Sequence, residues 1–229
     1  MADRQSRRGV EDPAPGRLIF ASSNPHKVEE VRAILADVGL RVVGLDETTT
    51  PDGRPGASLP KPVEDGETFE ENARIKAVHY AKLLGAPVLA DDSGLVVDAL
   101  GGEPGVRSAR WAGVDGARAE RDRANNEKLL AALQGVAMER RTARFVCAMC
   151  LAAPDGRALA ESLGAVEGRI ALAPRGQGGF GYDPLFELPC GTTTAELAPQ
   201  EKNAVSHRAN AARDMAVRIA QLRAQGALV

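Results

Sequence analysis

Val88-Leu-Ala-Asp-Asp-Ser-Gly94 decides how this chain is read. Three small apolar residues after Pro87 have the character of the end of a buried strand, and two adjacent carboxylates followed by Ser-Gly that of the loop leaving it. Neighbouring side chains of a strand point to opposite faces. If the strand is covered on both sides, Asp91 and Asp92 cannot both face solvent, and at least one needs a partner. In open α/β sheets ligands collect beyond the carboxyl ends of strands, where Mg²⁺ takes one or two carboxylates together with substrate phosphates. The same residues also suit a helix cap or turn, with Asp-Ser-Gly serving backbone hydrogen bonds.

Working outward, Arg17-Leu-Ile-Phe-Ala21 reads as a short strand, followed by the small polar loop Ser22-Ser-Asn-Pro-His-Lys27. Val28, Val31, Ile34, Leu35 and Val38 then recur with helical spacing. Asn24 followed by Pro25 is an N-cap with proline at the first helical position, and Gly39 is a stop. Strand, polar loop and helix N-terminus together make an anion site, because free backbone N–H groups and the helix dipole face the loop. Lys27 in the first turn opposes that dipole, which suits a bound anion as well as an ordinary exposed lysine. Ser206 is a second N-cap, placing His207 and Arg208 in the first turn of a helix carrying Ala211, Met215, Ile219 and Leu222. Two such cases point to an acceptor-rich ligand.

Between these, Arg41-Val-Val-Gly-Leu45 is a strand candidate, and Thr48 to Asp65 is a long loop rich in Pro, Gly and Thr. Thr68 and Glu71 form a capping box for a helix ending at Gly85, on which Asn72 and Lys76 share a polar face that suits either solvent or the strand end at Asp92. Gly101 to Arg110 is a glycine-rich turn whose Arg107 and Arg110 are spaced to clamp a phosphate or a carboxylate. Asp115 to Leu133 reads as a charged amphipathic helix. Arg144 to Ala153 and Ala158 to Gly168 alternate about Pro154-Asp-Gly156, a hairpin signal that makes the sheet mixed. Cys147 and Cys150, at an odd offset on one strand, point to opposite faces and serve packing rather than a shared metal. Gly176-Gln-Gly-Gly-Phe-Gly181 matches the dinucleotide fingerprint but lacks its strand before and long helix after. It offers instead a backbone that a ligand can approach, with Phe180 and Tyr182 exposed beside it for stacking on a planar base, and it equally suits a buried hinge with Phe180 as its plug.

The chain has 229 residues, 44% of them hydrophobic, a net charge of −2 and three cysteines. That bounds it to one large α/β domain or two small ones, without the basic field that nucleic acid requires. No run has membrane-spanning length, the N-terminus lacks the apolar core of a signal peptide, and the odd cysteine count fits a reducing compartment. A cytoplasmic protein is expected, with Met1 to Gly16 a disordered extension.

Six motifs follow one another in the order of the inosine triphosphate pyrophosphatase family, which the chain resembles from Arg17 to its C-terminus. They are Ser22-x-Asn-x-x-Lys27, Glu64-x-Gly-x-Thr-Phe-x-x-Asn-Ala-x-x-Lys76, Ala90-Asp-Asp-Ser-Gly94, Pro104-Gly-x-x-Ser-Ala-Arg110, Gly178-Gly-Phe-Gly-Tyr-Asp-Pro184 and Ser206-His-Arg208. The resemblance implies a single domain over 17–229, an elongated two-lobed α/β fold. A long twisted mixed β-sheet with flanking helices would carry an active-site cleft between the lobes. It implies a homodimer that hydrolyses the deaminated purine nucleoside triphosphates ITP, dITP and XTP to monophosphate and pyrophosphate.

By the same resemblance Ser22, Ser23, Asn24, Pro25, His26 and Lys27 hold the triphosphate, helped by Lys76. Glu64 and Asp92 hold Mg²⁺, Asp92 acts as general base, and Ser93 touches the nucleotide. Phe180 stacks on the base, Gly181, Tyr182 and Asp183 line its pocket, and Lys202, His207 and Arg208 bond its edge. A 6-oxo acceptor on the base suits those donors, whereas the adenine amino group leaves donors facing donors. The chain departs from the family pattern in its N-terminal extension, in a longer Pro51 to Pro62 loop, and in Arg107, where an aromatic or aliphatic residue is expected. Two rival readings are an enzyme of related fold for modified pyrimidine or methylated nucleotides, and a nucleotide sensor without catalysis.

Overall fold

The computed structural model describes residues 17–228. The extension expected over Met1 to Gly16 lies outside them. The sheet is built from β1 (Arg17–Phe20), β2 (Arg41–Gly44), β3 (Val88–Val97), β4 (Thr142–Ala152), β5 (Ala158–Ile170) and β6 (Phe186–Glu187), in the order β2-β1-β3-β4-β5-β6. The β2-β1-β3 part is parallel, and β3 to β6 are antiparallel. This is the mixed α/β sheet expected. Its helices are α1 (Pro25–Ala36), α2 (Phe69–Leu84), α3 (Arg118–Ala132), α4 (Pro199–Val205) and α5 (His207–Ala224).

β3 corrects the opening expectation. Asp91, Asp92, Ser93 and Gly94 do not form a loop; the strand runs on through them to Val97, with every residue paired to β4. Poor strand formers are carried here by a complete antiparallel partner, so context overrides propensity. Gly94 is needed at that place. A Cβ on it would lie 2.4 Å from Ser108 Oγ and 2.6 Å from the Gly105 carbonyl, where the turn Gly105–Arg110 packs against the strand.

Helices cover both faces, because the β1-to-β2 and β2-to-β3 connections run in opposite directions across the sheet and right-handed crossovers then place α1 and α2 on opposite sides. On one face α1 and α5 pack over Leu18, Phe20, Leu89, Cys147, Met149 and Leu151. On the other α2 packs over Ala90, Ala148, Cys150 and Ala152. The two cysteines therefore do face apart, each in its own core. A third core joins α3, through Leu129 and Leu133, to Leu95, Val97, Phe145, Leu185 and Phe186, and forms the second lobe.

The capping box of Thr68 with Glu71, the Asn24 cap with Pro25 behind it, the Ser206 cap and the hairpin at Pro154-Asp155-Gly156 are all present. The charged helix α3 begins at Arg118 rather than at Asp115, because Gly116, with φ +136°, breaks the entry. Helix α4 was not anticipated. Tyr182 is not exposed beside the glycines but only 4% accessible, its hydroxyl donating to the Ser108 carbonyl.

One topological feature positions the site. β1 pairs with β3 only through Ile19 to Val88 and Phe20 to Leu89, and the chain then turns away into Ser22–Asn24. From Ala90 to Gly94 no strand pairs with the β1-side edge of β3, until Val96 bridges Pro104. The crevice lies there, beyond the carboxyl end of β1 at the point where the connections diverge, which is where open α/β sheets bind ligands.

Candidate active site

A cavity of about 480 Å³ occupies this crevice. Asp91 and Asp92, adjacent on β3, reach it from opposite faces of the sheet. Asp91 lies on the α1/α5 side, 2% exposed, with Lys27 Nζ at 3.0 Å and Arg208 Nε at 3.3 Å. Burial alone would raise its pKa, but Lys27, Arg208 and Lys76 outweigh that and hold the carboxyl well below the usual range. Arg208, fully buried, also donates to Ser93 Oγ at 2.9 Å and to Glu30. The α5 backbone can come this close to β5 because of Gly164, where a Cβ would sit 2.3 Å from the His207 carbonyl oxygen and the Ala211 nitrogen.

These contacts revise the reading of the two helix N-termini. The cations in the first turns of α1 and α5 are offset by the protein's own carboxylates, Asp91 and Glu30, so their placement is not by itself a sign of a ligand. Glu30 was missed by sequence reading. It sits one turn after Lys27 on α1 and resembles any surface glutamate, yet it pairs with both Lys202 and Arg208. Burial opposes its ionisation, and the two cations hold its pKa down nonetheless.

On the α2 face Lys76 Nζ bridges Asp92 Oδ1 and Glu64 Oε2, each at 2.8 Å. The two carboxylates are thus no further apart than two hydrogen bonds laid end to end. Despite the long loop before it, Glu64 is delivered to the site. Asp92 Oδ2 is buried with no hydrogen-bond partner. Burial raises the Asp92 pKa, and Lys76 and Lys27 only partly counter this. Asn72, expected to look toward Asp92 with Lys76, instead clamps the Gly66 backbone through its side-chain oxygen and nitrogen. Nor do the two arginines of the glycine-rich turn form a clamp. Arg107 pairs with Glu103 away from the cavity, while Arg110 lines it.

The oxygens of Glu64 and Asp92 suit a hard divalent cation, and the unpartnered Asp92 Oδ2 leaves a ligand position open. No group of three or more His, Cys, Asp or Glu side chains able to hold a metal exists among the described residues. Two carboxylates supplemented by substrate oxygens are the kind of donor set that Mg²⁺ accepts.

At the other end of the cavity stands Phe180, partly exposed, at the tip of the glycine-rich loop. Asp183 fixes it by accepting the Phe180 N–H at 2.8 Å. Lys202 Nζ lies 4.8 Å from the ring centroid and is held by Asp183 at 2.6 Å and Glu30 at 2.9 Å. Desolvation would lower the Lys202 pKa, but Asp183 and Glu30 raise it. His207 is stacked on Phe145, and burial, then Arg208 and Lys202, push its pKa well below the usual value. It is therefore a neutral imidazole, not a cation, and its Nδ1 has no partner.

Of the expected residues, Ser22, Ser23, Asn24, Lys27, Glu64, Lys76, Asp92, Ser93, Phe180, Gly181, Tyr182, Asp183, Lys202, His207 and Arg208 line the one cavity. Pro25 and His26 do not. Pro25 opens α1, and His26 stacks on Phe180 with centroids 5.6 Å apart. Sequence reading also missed Lys61, Arg118, Arg121 and Asp122 on the cavity wall. The charge density of Arg118-Ala-Glu-Arg-Asp122 was the available signal, and it does not distinguish a lining face from a solvated one.

Comparison with known families matches residues 18–218 to the Ham1 family. This chain belongs to that family. A relative from Symbiobacterium thermophilum, named dITP/XTP pyrophosphatase, is 52% identical over 85% of this chain and 90% of its own length. One of the same name from Anaeromyxobacter sp. is 44% identical over 92% of this chain and 99% of its own. Among solved structures, a HAM1 protein from Coxiella burnetii superposes with a TM-score of 0.76 at 40% identity, over 90% of this chain and 98% of that one. Membership of the Ham1 family agrees with the two-lobed α/β architecture described above.

Proposed function

We propose that this chain is a Mg²⁺-dependent pyrophosphatase that cleaves ITP, dITP and XTP to the monophosphate and pyrophosphate, removing deaminated purines from the nucleotide pool. The observation that carries this reading is the buried, unpartnered Asp92 Oδ2 beside Lys76 and Glu64, at the far end of a cavity from Phe180. The names of the close relatives agree with it.

Glu64 and Asp92 would hold Mg²⁺, which when bound supplies charge neutralisation on the phosphates. Asp92 accepts the proton of the attacking water on Oδ2, for which its raised pKa suits it better than an ordinary aspartate. The anhydride bond between the first two phosphorus atoms breaks, and pyrophosphate leaves with the bonding electrons. Lys27, Lys76 and the Ser22–Asn24 loop meet the phosphate charge. At the base end, the ammonium of Lys202 has three hydrogens and two carboxylate partners, so one donor remains for a 6-oxo group. Adenine presents an amino group there and leaves that donor unmatched, a mismatch able to give discrimination of about 10⁴ or more.

The working form on this reading is a homodimer of single-domain chains in the cytoplasm. No described helix is long and apolar enough to cross a membrane. Pyrophosphate release is to be measured across dITP, XTP, ATP, GTP, UTP and CTP, with Mg²⁺ and with chelator. Release from ATP as fast as from dITP, or undiminished by chelation, refutes the proposal. Light scattering tests the dimer.

A further inference from the structure

Three cations approach the ring of Phe180, and they differ in how firmly they are held. Lys202 and Arg208 are pinned by carboxylates within hydrogen-bond reach. Arg118 is not. Its Cζ lies 4.9 Å from the ring centroid, yet its Nε is buried without a hydrogen-bond partner, and its nearest carboxylate, Asp122, is 3.7 Å away. That carboxylate is committed elsewhere, since Asp122 Oδ2 accepts the Gly181 N–H at 2.9 Å.

The same helix fixes the loop that carries Phe180. Asp122 takes the Gly181 N–H and Asn126 Nδ2 donates to the Gly181 carbonyl at 2.9 Å, so the loop hangs from α3 by both sides of one peptide residue. Arg118 precedes Asp122 by four residues and therefore shares its face of the helix. The guanidinium and the ring are thus held in register by α3 itself, from the lobe opposite Lys27 and Asp92.

We propose that Arg118 is a base-clamping residue: its guanidinium, placed over Phe180, lies over the purine when the base stacks on that ring, forming the second wall of the slot. A guanidinium is planar and weakly hydrated, and it stacks on aromatic faces where an ammonium cannot. This rests on the assignment of the cavity to a purine nucleotide and adds a residue to it.

The test is equilibrium binding of two probes, IMP and inorganic tripolyphosphate, to wild type and to Arg118→Ala and Arg118→Lys, with steady-state kinetics on dITP. Loss of the stacked planar guanidinium predicts a roughly three- to thirty-fold weaker IMP affinity and higher KM in both variants. Tripolyphosphate affinity stays the same and kcat within about twofold. IMP affinity unchanged in Arg118→Ala overturns the clamp outright, and affinity restored by lysine or a matching loss for tripolyphosphate overturns it in favour of a plain charge effect. Wild-type protein that fails to bind IMP at all would instead remove the nucleotide assignment on which the clamp stands.

Discussion

Replacing Asp91 with asparagine tests the electrostatic frame of the site. The substitution keeps shape and one acceptor but removes the negative charge shared by Lys27 and Arg208. Arg208 retains Glu30, whereas Lys27 has no other carboxylate within ion-pair distance among the described residues. Removing one partner of a buried pair costs about 3–5 kcal/mol, and the surviving acceptor and Glu30 place this case near the lower end, about 3 kcal/mol. At roughly 2–4 °C per kcal/mol for a domain of this size, the melting temperature should fall by about 6–12 °C. The pH dependence has a definite sign. A carboxyl held below its unfolded value contributes stability fully above that value and loses it as pH falls through the folded one. The gap between wild type and variant should therefore hold constant from neutral pH down to about 4 and close only below that. Calorimetric melts across pH measure this, and adding Lys27→Met should return part of the loss through a coupling of about 1–3 kcal/mol. A change under about 0.5 kcal/mol, or strict additivity of the two substitutions, would refute the shared-charge reasoning.

Three further outcomes follow from the site. Asp92→Asn should lower dITP turnover by about 10²-fold or more without lowering the melting temperature, since burial already disfavours the charged form; a rate above a tenth of wild type removes Asp92 as the base. Lys76→Met should move the acid limb of kcat/KM to higher pH, because Lys76 is the strongest influence pulling the Asp92 pKa down, and a limb that stays put or moves to lower pH contradicts this. Phe180→Ala should raise KM for dITP by about five- to a hundred-fold through lost base stacking, read against unchanged tripolyphosphate inhibition.

Local chemistry carried most of what could be read before the structure. The Asn24-Pro25 and Ser206 caps, the Thr68 and Glu71 box and the Pro154-Asp155-Gly156 turn depend on neighbours in sequence, and each is found where expected. The course of β3 depends instead on β4, some sixty residues on, and Asp-Asp-Ser-Gly carries no trace of that pairing. Tyr182 was misread for a similar reason: glycines around it suggest exposure, while its burial is decided by Leu95, Phe145 and the Ser108 carbonyl. The motifs named cations that the fold brings to the cavity but not their counter-charges. Glu30 and Asp122 lie on helices whose periodicity marks them as surface, and only the packing of α4, α5 and the Phe180 loop turns them inward.

The placement of Asp91 and Asp92 on one continuous strand restricts how this site can change over generations. With a side-chain period of two, loss or gain of a single residue between Val88 and Asp91 would exchange the two acids, sending the partner of Lys27 and Arg208 to the Lys76 side and the partner of Lys76 to the Arg208 side. Both halves of the machinery would fail together, and no neighbouring turn could absorb the slip because β4 registers every position. Length variation among descendants of this sequence should therefore gather in the segment before α2, where the Pro51 to Pro62 loop lies outside the sheet, and spare the ten residues of β3 altogether.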